Sequence, residues 1–165
     1  MQRFKNSFVL LMTSLFSISV LAEPEYVTVE LEIDINRSAE DVWSRVGGFC
    51  DITDWMGLPC ELTEGSGGIG TVRSLLEGRI TEVLVAKTDL SYGYTMPAVQ
   101  GEFYNLYHGF MESKAVTATT SKMLYTLVWD VSNHADQAAK DGDIEGRTAT
   151  FTNALQGIKA YAEAN

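Results

Sequence analysis

Residues 70–96 read GTVRSLLEGRITEVLVAKTDLSYGYTM, from Gly70 to Met96. The stretch scans as three strands, about Thr71 to Leu76, Arg79 to Lys87 and Leu90 to Met96, turning at Glu77-Gly78 and Thr88-Asp89. Successive side chains of a strand point to opposite faces of its sheet. Arg73 therefore shares a face with Leu75, and Glu82 shares one with Ile80 and Leu84. If those faces turn inward, a cation and an anion lie among apolar side chains. Buried charges must pair with each other or meet ligand or water, because an isolated one is costly. The pattern points to a cavity rather than a solid core.

Working outward, Tyr26 to Ile35 alternates between apolar and polar residues, as a half-exposed antiparallel strand does. Ser38 and Asp41 form an S-x-x-D start for a helix carrying Val42, Trp43 and Val46, which Gly47-Gly48 ends. Phe49 to Trp55 reads as a second short helix, and a short strand follows near Glu61 to Thr63. Beyond the opening stretch come strands over Phe103–Glu112 and Val116–Val131, a polar loop over Asn133–Gly142, and a last helix over Gly146–Ala164. Phe151, Ala154, Leu155, Ile158, Tyr161 and Ala162 form its apolar stripe. Acidic Asp141, Asp143 and Glu145 would precede it and suit its positive end. Seven antiparallel strands with one long amphipathic helix make an α+β domain.

At 165 residues the chain has the length of one domain. Arg3 and Lys5, an uncharged and mainly apolar run from Phe8 to Val20, and Ala22 before Glu23 form a secretory signal pattern over residues 1–22. The run falls short of the ~20 residues needed to span a bilayer. The expected mature domain is 23–165, free of stable membrane anchoring once the signal is cleaved. The net charge of −10 becomes more negative when Arg3 and Lys5 leave. That disfavours nucleic acid and anionic membrane surfaces as partners. Cys50 and Cys60, the only cysteines, invite a disulfide in a secreted chain.

These motifs, in order, resemble the START-like (SRPBCC) superfamily, and most nearly its bacterial polyketide cyclase/dehydrase-type branch. The resemblance rests on Gly70-Thr-Val-Arg73, Glu82-Val-Leu84 with Asp89 after it, Tyr92-Gly-Tyr94, and Trp129 near the end of the last strand. It covers about Tyr26 to Ala162. It implies a helix-grip fold, a curved sheet wrapped around the C-terminal helix, with a cavity between them for an apolar or amphipathic small molecule. It also implies a bacterial setting, hence a periplasmic destination. In plant hormone receptors of the superfamily the equivalents of Glu82 and Tyr104 line the pocket. The two-residue Glu77-Gly78 link is shorter than the gating loop of those receptors.

The expected ligand-contacting residues are Arg73, Leu75, Glu82, Leu84, Tyr94, Tyr104, Trp129, Phe151, Ala154 and Ile158. A tyrosine offers an apolar ring and a hydroxyl, which suits a partly polar organic ligand. Arg73 and Glu82 read either as a polar anchor for ligand or as a structural ion pair. Glu82, Tyr104 and His108 are the candidates for proton transfer. Three functions are open: a carrier of a hydrophobic or amphipathic small molecule, a cyclase- or dehydrase-like enzyme, and a protein-interaction domain with a vestigial cavity. Gly65-Ser-Gly67-Gly-Ile-Gly70 is a literal G-x-G-x-x-G, but a strand follows it where a dinucleotide site needs a helix. No HExxH, CxxC or clustered histidine pattern points to a metal, and no cofactor is expected.

Overall fold

The computed structural model describes residues 23–100 and 105–164. The signal pattern of residues 1–22 and the candidate Tyr104 lie outside them. The strands are β1 (Tyr26–Ile35), β2 (Cys60–Glu64), β3 (Val72–Leu75), β4 (Ile80–Lys87), β5 (Ser91–Thr95), β6 (Tyr107–Ala115) and β7 (Ser121–Asp130). They form one antiparallel sheet in the order β1-β7-β6-β5-β4-β3-β2. Between β1 and β2 stand helices α1 (Ala39–Val46) and α2 (Ile52–Met56), and α3 (Gln137–Glu163) ends the described chain. This is the curved helix-grip sheet and long C-terminal helix expected from the sequence. Bulges between Leu62 and Glu64 and between Leu84 and Ala86 accentuate its bend.

Local chemistry fixes the short helices. The Ser38 hydroxyl accepts from the Asp41 backbone N–H at 3.2 Å and caps α1. Val42 and Val46 are fully buried beneath it. The Trp43 indole covers Gly47, where an added Cβ would come within 2.5 Å of the ring. Gly157 lets α3 approach α2 so closely that a Cβ there would sit 2.1 Å from the Trp55 carbonyl oxygen. Cys50 and Cys60 are joined by a disulfide that ties the start of β2 to the segment before α2. The ends of the domain also meet. The Asn36 N–H donates to Glu163 Oε1 at 2.8 Å, and Arg37 and Arg45 donate to the Ala164 carbonyl at 3.1 and 3.2 Å.

The polar loop expected over Asn133–Gly142 is largely helix. α3 begins at Gln137, and the Asp136 side chain caps it by accepting from the Ala139 N–H at 2.9 Å. Gly142 and Gly146 read as breaks in the sequence, but a glycine inside a helix costs only about 1 kcal/mol. Nothing lies within 4 Å of an added Cβ at either position. Asp141, Asp143 and Glu145 therefore lie within the helix rather than before it. The final strand is shorter than Val116–Val131, because Val116 and Thr117 donate to the Thr120 carbonyl in a turn.

Candidate ligand cavity and its polar pair

β3 and β4 place Arg73 directly opposite Glu82. Both side chains point to the concave face and are buried, at 1% and 5% exposure. Arg73 Nε and Nη2 both donate to Glu82 Oε2, at 2.7 and 2.6 Å. Its Nη1 donates to the Phe49 carbonyl. The guanidinium carbon lies 4.2 Å from the Phe49 ring centroid and 5.1 Å from that of Tyr94, so aromatic faces flank the charge. Every arm of Arg73 is committed to protein. Glu82 is asymmetric: among the described residues, Oε2 takes both donors and Oε1 takes none.

Burial pushes the Glu82 carboxyl above its ordinary range, while the charge and hydrogen bonds of Arg73 pull it back. Burial also holds the phenols of Tyr94 and Tyr125 well above the ordinary tyrosine value, and that of Tyr107 at about 12. These tyrosines are neutral near pH 7. The Tyr94 and Tyr125 hydroxyls share a 2.7 Å hydrogen bond. Tyr94 lies over Gly109 on the neighbouring strand, where a Cβ would come within 2.3 Å of the ring.

Beside this pair is a cavity of about 310 Å³. Its walls come from β3, β4 and β5, from Tyr107 on β6 and Tyr125 on β7, from Met56 of α2 and Leu58 after it, and from Arg147, Thr150 and Phe151 on α3. The β3–β4 hairpin supplies Leu76, held in a left-handed conformation (φ 52°) followed by Glu77 (φ 59°) and Gly78 (φ 92°). The volume is at the small end of the ~300–1,000 Å³ typical of ligand pockets.

The sequence model of the family described as polyketide cyclase/dehydrase and lipid transport matches residues 26–163. The chain belongs to that family. A protein of Nitrosospira multiformis has a similar solved structure, at 25% identity and TM-score 0.65, covering 81% of this chain and 94% of that one. The aromatase/cyclase Zhui of Streptomyces sp. R1128 superposes with TM-score 0.67 at 14% identity, over 84% of this chain and 94% of its own. Ara h 8.0201 does so with TM-score 0.61 at 17% identity, over 86% and 100%. At these last two identities the likeness is one of fold. No curated protein sequence matches the chain.

In this polyketide cyclase/dehydrase family member, Arg73, Leu75, Glu82, Tyr94 and Phe151 line the cavity. Leu84 and Ile158 are buried in the packed core instead. Ala154 borders a separate shallow recess with Trp55 and Asn153. Trp129 is turned to α3, its indole N–H donating to Asp143 Oδ2 at 2.8 Å. His108 does not reach the cavity. Tyr94 pairs with Gly109 and Tyr107 with Trp129, so the odd-numbered residues of β6 face inward and His108 faces out beside Phe110. Tyr107, on the inward face, lines the cavity and is absent from the expected set. Tyr125 and Arg147 are absent from it too; the alternation of β7 could have shown the first, and the second lies four residues before Phe151 inside the helix expected over Gly146–Ala164. No group of three or more metal-ligating side chains gathers among the described residues.

Proposed function

We propose that this protein binds a hydrophobic or amphipathic small molecule between its sheet and α3. The observation that carries the reading is the cavity itself, apolar over most of its wall yet bordered by a carboxylate with an oxygen available to accept. Apolar burial supplies affinity at about 25 cal/mol per Å². Glu82 Oε1 supplies orientation by accepting a ligand hydroxyl or amine. Family membership supports the same reading. The signal pattern of residues 1–22 supports a periplasmic setting for the bound protein. Native mass spectrometry of protein purified from its own host tests the proposal: a co-purifying organic mass that leaves on denaturation is expected. Protein that is mass-identical before and after denaturation, and takes up no added lipid-like compound, overturns it.

A cyclase- or dehydrase-like activity is the second reading, and the upward-shifted carboxyl of Glu82 favours it. A Glu82→Gln protein that keeps ligand affinity and loses turnover would establish it. His108 lies on the other face of the sheet, and this reading gives it no role.

A further inference from the structure

Arg147 stands where the cavity meets a second recess. It lines both the 310 Å³ space and an adjoining one of about 190 Å³ bordered by Asn105, Trp129, His134 and Asp143. With Thr150 and Phe151 it shares one face of α3, at i, i+3 and i+4. Its guanidinium carbon lies 5.2 Å from the Tyr107 ring centroid and 5.5 Å from that of Trp129. Two aromatic rings thus hold the guanidinium by its faces and leave recognition to its N–H edge.

Asp143, one turn earlier, takes the Nε corner of that edge, its oxygens at 3.0 and 3.1 Å. Asp143 Oδ2 also accepts from the Trp129 indole and lies 3.4 Å from His134 Nε2. Among the described residues no carboxylate or carbonyl accepts from Nη1 or Nη2 of Arg147; the Tyr107 hydroxyl stands beside the guanidinium, which pulls down a phenol pKa that burial raises. The contrast with Arg73 is chemical: one guanidinium is spent on protein, and the other is held by a corner with its two-pronged end unspent.

We propose that Arg147 recognises the head of the ligand, and that the ligand is an amphipathic carboxylate. The inference rests on the binding reading above and adds the chemistry of the head group. Two parallel N–H bonds from Nη1 and Nη2 match the two oxygens of a carboxylate. Asp143 already offsets part of the Arg147 charge, and the whole chain is acidic at −10. A monoanion therefore fits better than a dianionic phosphate. The apolar body then runs from Arg147 past Phe151 toward Leu75 and Ile80, and any hydroxyl at its far end meets Glu82.

The test compares decanoate with 1-decanol, matched in length and different in head, by tryptophan fluorescence and calorimetry on the wild type and on Arg147→Gln. The wild type is expected to bind decanoate at least tenfold more tightly than decanol. Arg147→Gln should lose at least tenfold for decanoate and under twofold for decanol, whose retained binding shows that the variant is folded. Equal wild-type affinity for the two probes overturns the inference, as does an Arg147→Gln protein that loses both equally or neither. In those cases the binding reading stands. Binding of neither probe by the wild type overturns the binding reading and the inference with it.

Discussion

Breaking the Arg73–Glu82 pair from either side should cost stability in two distinguishable ways. In Glu82→Gln the guanidinium keeps its charge, since arginine does not deprotonate in proteins. It is 1% exposed and can escape only by unfolding. Removing one partner of such a pair costs about 3–5 kcal/mol. For a chain of 165 residues, each kcal/mol lowers Tm by about 2–4 °C, so a fall of roughly 6–20 °C is expected. With no carboxyl left at position 82, this site adds no pH dependence of its own to the stability of the variant. In Arg73→Met the survivor is a carboxyl already shifted upward by burial, now without the group that pulled it down. Its folded pKa lies above the unfolded value, so the folded state holds the proton more tightly. Stability is then greatest below about pH 4.3 and falls as pH rises toward the folded pKa, by up to ~1.4 kcal/mol per pH unit. Urea unfolding at half-unit pH intervals separates the two cases. Replacing both residues with Met and Leu should recover most of the loss, because no charge is left unpaired. The reasoning is refuted if both single variants show the same pH profile, or if the double variant is no more stable than either.

Two further perturbations test the frame around the cavity. Gly157→Ala should destabilise by roughly 1–3 kcal/mol, because the new methyl meets the Trp55 carbonyl; Gly146→Ala, in open space on the same helix, should stabilise by up to ~1 kcal/mol. Thermal melts that rank the two in the opposite order would contradict the helix packing described above. Cys50→Ser with Cys60→Ser should cost about 2–3 kcal/mol for so short a loop. Wild-type protein in reductant should match the double variant in chemical denaturation, and a difference between them would assign the loss to something other than the bond.

The strands were legible because alternation is a local signal, and it puts Arg73 on a face with Leu75 and Glu82 on one with Ile80 and Leu84. The cap at Ser38 and the glycines after Val46 were equally readable. What failed had non-local causes. The inward face of β6 is set by register against β5 and β7, and both of its faces carry aromatic residues, so alternation alone does not say whether Tyr107 or His108 points inward. The start of α3 was hidden because two glycines and a run of acids resemble a loop, while the Asp136 cap is one residue in a polar segment. Arg147 lies inside the expected helix all the same, four residues before Phe151, and was passed over because a charged residue does not read as part of an apolar stripe.

The meeting of the two ends of the domain has a consequence for how the protein comes into being. Among the described residues β1 pairs only with β7, so the first strand waits for the last, and the carbonyl of Ala164 is held by Arg37 and Arg45 just beyond β1. Contacts that span so much of the chain fold slowly compared with helical bundles. A growing chain has neither a closed wall nor α3 to cover the cavity, and the incomplete sheet leaves the β7-facing edge of β1 open to other chains. The cavity therefore belongs to the finished fold alone, and loss of the final turn of α3 would strip the partners of Asn36, Arg37 and Arg45 while leaving the β1–β7 ladder in place.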